Sequence, residues 1–233
     1  IDIEKPEAET YGARSDAPER PFLRLPTGCD EGGAIEQRAD SWQAPGVFTP
    51  WAAGAEIKPT GCEDPRIRFE PSITIQPTSH EAASPTGLDV DLTVPQNEEP
   101  EGLGTPDLRT AVTHLPEGMR VNASAADGLA GCSEAEIGLE SNEAPTCPDA
   151  SKLGTVEILS PLVSEPLTGY IYQARQFENP DHSLLGFYTS AHAEGITIKL
   201  AAEVVADPQT GELTTIFRDN PQLPFTHYRL HFW

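Results

Sequence analysis

From residue 66 onward, apolar side chains recur at every second position, in short runs that prolines close off. Ile67 and Phe69 alternate with Arg66 and Arg68, and Ile73 and Ile75 with Thr74 and Gln76. Leu88, Val90, Leu92 and Val94 share one face, while Asp89, Asp91 and Thr93 take the other. Successive side chains of a strand point to opposite faces, so a period of two predicts half-buried antiparallel strands. Pro71, Pro77, Pro85, Pro95 and Pro106 keep the runs short, and no helix of length fits between them. A further strand is expected within 107–114, with Leu108 and Val112 pointing one way.

Residues 116–153 interrupt the pattern. Ser124 is placed to cap a short turn over 125–129, and Ser133 with Glu136 has the spacing of a capping box ahead of Ile137 and Leu139. Strands are expected again at 154–159, at 168–174 around Tyr170 and Tyr172, and at 184–190 around Leu185 and Phe187. The clearest unit follows: Ile196, Ile198, Leu200, Ala202 and Val204 alternate with polar or small residues, residues 207–211 turn, and Leu213, Thr215 and Phe217 return as a hairpin. The run 227–232 places Tyr228, Leu230 and Phe232 inward and His227, Arg229 and His231 outward. The expected fold is all-β, an antiparallel β-sandwich or jelly-roll-like domain over 66–233, with a stapled loop carrying short helical turns.

Residues 1–65 read differently. They hold eight prolines and little periodicity, with Phe22-Leu23-Arg24-Leu25 as the one alternation that suggests a strand. This part is expected to be an extended Pro- and Gly-rich arm, ordered by lying against its own domain or a neighbouring copy. Ile1 in place of an initiator Met is expected of a processed chain or a fragment, once preceded by an export signal.

Charge narrows the partners. Across 233 residues, 37 acidic side chains face 15 basic ones, a net charge of −22. Nucleic acid and anionic membrane surfaces are bound chiefly through Lys and Arg, so neither is an expected partner. No apolar run approaches the ~18–20 residues that span a bilayer, and no membrane insertion is expected. The four cysteines, Cys29, Cys62, Cys132 and Cys147, are even in number and lack the paired spacing of a zinc site. Disulfides in an oxidising compartment follow. Of three connectivities, proximity in sequence favours Cys29–Cys62 and Cys132–Cys147, and the smaller loop would contribute about 3 kcal/mol.

Five stretches carry a resemblance over about 85–232: residues 85–96 (PTGLDVDLTVPQ), 115–119 (LPEGM) continuing to 125–129 (AADGL), 147–158 (CPDASKLGTVEI), 166–172 (PLTGYIY), and 207–217 (DPQTGELTTIF) through 221–225 (PQLPF). In this order they resemble a module of large, exported, mostly uncharacterised bacterial surface proteins. The resemblance implies an extracellular β-rich unit within a long surface protein and supplies no catalytic residues. It also implies further sheet and a further cysteine beyond the last strand; this sequence stops at Trp233, as expected of a fragment, a processed product or a shorter relative.

Motifs for chemistry are sparse. There is no G-x-S-x-G string and no Gly-rich phosphate loop, and His80-Glu81 lacks the second His of a zinc-protease helix because position 84 is Ser. No catalytic residue, metal ligand or cofactor is assigned. His227 and His231 share a strand face with Arg229 between them, which reads as a polar stripe. Asp89 and Asp91 read as solvated strand carboxylates, since no loop supplies the other oxygens calcium needs. Lys58, Lys152 and Lys199 are the candidates for an isopeptide staple, and residues 122–124 form an N-glycosylation acceptor.

The expected function is that of an extracellular structural protein, a surface-layer or filament-type module. It self-associates with copies of itself or neighbouring modules through its arm and edge strands, with Phe22, Leu23, Leu25 and Trp233 as the assembly residues. The alternative is an adhesin-like module that holds a glycan or a protein on an aromatic patch of Trp42, Trp51, Tyr170 and Tyr172.

Overall fold

A computed structural model describes residues 23–122, 124 and 127–233. They fall into two compact units, one of residues 23–67 with 97–104 and one of 68–96 with 105–233. Phe22 and the first two residues of the turn expected at 125–129 lie outside the described residues.

The smaller unit is built on an antiparallel pair, β1 (Gly33–Gln37) and β2 (Ala52–Ile57), with a bulge between Ala34 and Glu36. Cys29 and Cys62 close it as a disulfide. Local polar contacts shape its loops: Asp40 accepts the Gly46 N–H at 2.7 Å, and the Ala39 carbonyl accepts the Thr49 N–H at 2.8 Å. The Arg38 guanidinium lies over the rings of Phe48 and Trp51, 4.5 and 4.6 Å from their centroids. Of its described residues, Pro59 alone is buried. A two-stranded ribbon without a core is marginal. The disulfide, closing 33 residues, therefore supplies the main constraint, about 4 kcal/mol by chain entropy.

Two expected strands do not form among the described residues. Residues 66–69 alternate but turn instead, because Asp64 accepts the Arg66 N–H (2.9 Å) and its guanidinium (2.7 Å), and the Ile67 N–H closes onto the Asp64 carbonyl. That pairing holds the Asp64 carboxyl down at about 2. Leu23 and Leu25 have no ladder partner among the described residues; Arg24 between them donates to the Glu99 carbonyl instead.

The larger unit is one nine-stranded sheet. Its strands are β3 (Ser72–Pro77), β4 (Leu88–Thr93), β5 (Ala111–His114), β6 (Lys152–Leu159), β7 (Leu167–Gln173), β8 (Leu185–Ala193), β9 (Ile196–Ala206), β10 (Leu213–Phe217) and β11 (His227–Phe232). Their order is β3-β4-β11-β6-β7-β8-β9-β10-β5, antiparallel throughout. Strands β6 to β10 form a meander. β11 inserts between β4 and β6, so that Leu230 faces Val90 on one side and Val156 on the other. The antiparallel all-β fold expected from the alternation is thus present as a single curled sheet.

Its curl has local causes. Gly154 and Gly169 sit on the inner face of β6 and β7, where a Cβ would run into the carbonyl oxygens of His231 and Ser190. A bulge between Lys152 and Gly154 adds bend at the start of β6. The inner face carries the main core, including Val156, Ile158, Leu167, Ile171, Phe187 and Leu230. Phe187 meets Phe217 and Phe232 edge-to-face at 5.6 and 5.3 Å. The Tyr228 and Thr189 hydroxyls share a hydrogen bond of 2.6 Å inside this core.

The outer face of β7–β9 is covered by the excursion between β5 and β6. Cys132 and Cys147 staple it as expected. The Cys132 N–H donates to Gln173 and its carbonyl accepts from Arg175, both at 2.8 Å, so the backbone itself joins the sheet. Helix α1 (Glu134–Ile137) is started by the Ser133–Glu136 capping box and ended by Gly138 at φ 58°. Its Ile137 is fully buried in a cluster with Tyr172, Ala174, Tyr188 and Cys132. Lys199 on β9 donates to the Gly138 carbonyl at 2.9 Å, satisfying an acceptor the helix end leaves free. In β5, Ala111 and Thr113 face inward and Val112 outward; Leu108 lies ahead of the strand rather than on a shared face with Val112.

Candidate functional site

Two features of the nine-stranded sheet could engage another molecule: its unpaired edges and its hollow. β3 and β5 each pair on one side only among the described residues. They differ in protection. β5 is four residues long, whereas β3 offers six, and Ser72-Ile73-Thr74-Ile75-Gln76 contains no charge and no proline. Charged side chains, prolines and shortness are the usual devices that keep edges from pairing. In a chain of which 22% is charged, β3 has none of the charges and keeps its prolines at position 71 and position 77. Ile73 is 49% exposed.

The hollow lies on the inner face. Its volume is about 1280 Å³, and residues of both edge strands line it, Ile73 and Ile75 from β3 and Ala111 and Thr113 from β5. Leu200, Val204 and Phe217 from the meander form another part of its wall. Among the described residues no Asp or Glu lines it, although the chain carries 37 of them. The two cations on its lining are Arg120 and Lys152. Lys152 is engaged, with Asp149 at 2.7 Å and the Tyr170 ring at 3.9 Å. Arg120 is exposed and has no carboxylate partner among the described residues.

The outer side of β4, β11 and β6 carries a charge ladder. Asp91 receives His227 Nδ1 at 3.0 Å and Arg229 Nε at 3.2 Å, Arg229 also donates to Glu157 at 2.7 Å, and His231 pairs with Asp89. Burial works against ionisation of Asp91, but the hydrogen bonds from His227 and Arg229 outweigh it and hold its carboxyl below the ordinary range. The stripe read from the sequence is therefore a set of cross-strand hydrogen-bonded pairs, with Arg229 as the cation between Asp91 and Glu157. The three lysines are likewise occupied: Lys58 with Glu56 at 3.0 Å, Lys152 with Asp149, and Lys199 with the Gly138 carbonyl.

The expected aromatic patch divides between the units. Trp42 is fully exposed and Trp51 sits under Arg38, both in the smaller unit. In the larger unit Tyr170 is half-exposed and meets Tyr172 edge-on at 6.2 Å, but Tyr172 is only 6% exposed and belongs to the core beneath the excursion. Burial pushes the Tyr172 hydroxyl above its usual range. Of the assembly residues, Leu23 and Leu25 are 80% and 63% exposed. Trp233 is also exposed, lines the hollow, and donates its N–H to the Leu153 carbonyl.

The hollow and the bare β3 edge escaped the sequence reading. The uncharged run 72–76 was a usable signal for the edge; the hollow left none, because each residue of its wall reads as core.

Compared with protein-family models, curated proteins and solved structures, the chain matches none. The two disulfides indicate an oxidising, non-cytosolic environment, and no helix among the described residues is long and apolar enough to cross a membrane.

Proposed function

We propose that this chain is an extracellular structural module that self-associates through its sheet edges. The observation that carries the reading is β3: an edge unpaired among the described residues, six residues long, rich in β-branched side chains and bare of charge. An edge of this kind is a template for another strand, and pairing removes its unsatisfied N–H and C=O groups from water. With β5 open at the far end of the same sheet, an edge-to-edge contact is heterologous and propagates into a filament or layer. Leu23 and Leu25, exposed in the smaller unit, offer apolar surface of their own for self-association. The resemblance to modules of exported bacterial surface proteins favours the same setting. The role is mechanical rather than catalytic.

Thr74→Lys places a charge on the exposed outer side of β3 and leaves the inner wall untouched. In light scattering, the unaltered chain is expected to grow in mass with concentration and the variant to remain monomeric. Equal growth of both would remove β3 from the contact.

A second reading rests on Trp42, whose complete exposure in the unit that also holds the Arg38, Phe48 and Trp51 stack suits a glycan or protein contact. Trp42→Ala would then abolish binding on a glycan array without changing the melting of the sheet.

A further inference from the structure

We propose that the hollow of the curled sheet binds a single long-chain fatty acid, with Arg120 receiving its carboxylate. The inference goes beyond self-association, since edge pairing uses the rims of the sheet and this site uses its inner face. Three observations converge on that ligand. The volume, about 1280 Å³, exceeds the ~300–1,000 Å³ of ordinary small-molecule pockets, and the wall is chiefly Leu, Ile, Val and Phe. Water in such a hollow finds few polar partners, whereas a hydrocarbon chain gains with every CH₂ it buries.

Charge then decides the class of ligand. Among the described residues the lining has no Asp or Glu, in a chain with net charge −22, and so offers no counter-ion to a cationic amphiphile. Among the described residues Arg120 is the one lining cation without a carboxylate partner, and its guanidinium can take a carboxylate through two parallel N–H donors. Asn122, two residues on, also lines the hollow; its Oδ1 accepts the Ser124 N–H, which leaves its amide hydrogens to donate. One guanidinium and one amide suit a carboxylate. They do not supply the donors that a phosphodiester and its glycerol would require, so the occupant is a free fatty acid rather than a phospholipid.

The test is displacement of a fluorescent fatty acid by oleate, by oleyl alcohol and by phosphatidylglycerol vesicles, on the full chain and on Thr74→Lys. Oleate is expected to displace the probe one-to-one from both proteins. Arg120→Glu is expected to weaken oleate about ten-fold, the loss of one charged hydrogen-bonded contact, and to leave oleyl alcohol unchanged. Leu200→Trp, which fills part of the hollow, is expected to weaken both ligands; should it misfold, the exposed Arg120 variant still decides. Three outcomes would overturn the proposal: no probe binding to monomeric Thr74→Lys, equal oleate affinity in Arg120→Glu, or displacement by vesicles alone. Because Thr74→Lys is assayed in parallel, failure of the fatty-acid site and failure of edge pairing give different results.

Discussion

The two disulfide-closed segments of this chain have the same covalent device and opposite physical situations. Cys29–Cys62 closes a hairpin in which Pro59 alone is buried among the described residues. Cys132–Cys147 closes an excursion that places Ile137 in a core with Tyr172 and Tyr188, hydrogen-bonds its backbone to β7, and is held from β9 by Lys199. In the first, the crosslink substitutes for a core. In the second it adds to one. The difference teaches that a cysteine pair does not by itself say how much structure it carries; the apolar residues between the cysteines do. Residues 133–139 contain Ile137 and Leu139 at a spacing that reaches the sheet, whereas the strands of the first loop are Ala- and Gly-rich.

The largest effect should come from removing the crosslink that stands alone. Replacing Cys29 and Cys62 by Ser is expected to cost the smaller unit about 4 kcal/mol of constraint and to abolish hydrogen-exchange protection in β1 and β2. Melting of the nine-stranded sheet should not move. If β1 and β2 remain protected, the unit has a source of order other than its disulfide.

Next in size is Ile137→Ala, a large-to-small change at a fully buried site, expected to destabilise the sheet by about 2–5 kcal/mol in denaturant unfolding. Replacing Cys132 and Cys147 by Ser should cost about 3 kcal/mol by loop entropy yet leave the excursion docked, with Cys132-position and Arg175 amides still slow to exchange. An undocked excursion in that variant would erase the contrast between the two loops. Lys199→Met, which leaves the Gly138 carbonyl without its donor, is expected to cost about 1–2 kcal/mol.

The smallest effect is electrostatic. The folded-state pKa of Asp91 lies below its ordinary value of 3.8, so the stability its carboxylate contributes through the hydrogen bonds from His227 and Arg229 is present above that value and is lost as pH falls through the folded one. Asp91→Asn should therefore flatten the acid side of the stability profile below about pH 4 and narrow the gap between variant and parent there.

Much of the larger unit was legible. The β9–β10 hairpin, the inward Tyr228, Leu230 and Phe232, and the Ser133–Glu136 box all depend on neighbours within a few residues, and their patterns are written locally. The cysteine pairs followed from separation alone. The position of β11 between β4 and β6 was not legible, because its partners lie more than sixty residues away and no local signal specifies them. β1 and β2 escaped for another reason: exposed on both faces, they have no burial to impose alternation on their sequence. The 66–69 alternation misled because Asp64 captures Arg66 before a strand can form. The hollow was hidden most completely, since an inward Leu200 or Val204 has the same sequence signature whether the space before it is filled or open.

The most direct test of the central claim is hydrogen exchange at β3 across a dilution series. Pairing at this edge predicts that amides within 72–77 gain protection as concentration rises, while the central strands β7 and β8, already paired on both sides, do not change. Exchange at 72–77 that stays constant while the chain grows in mass would contradict it, and would assign assembly to another surface.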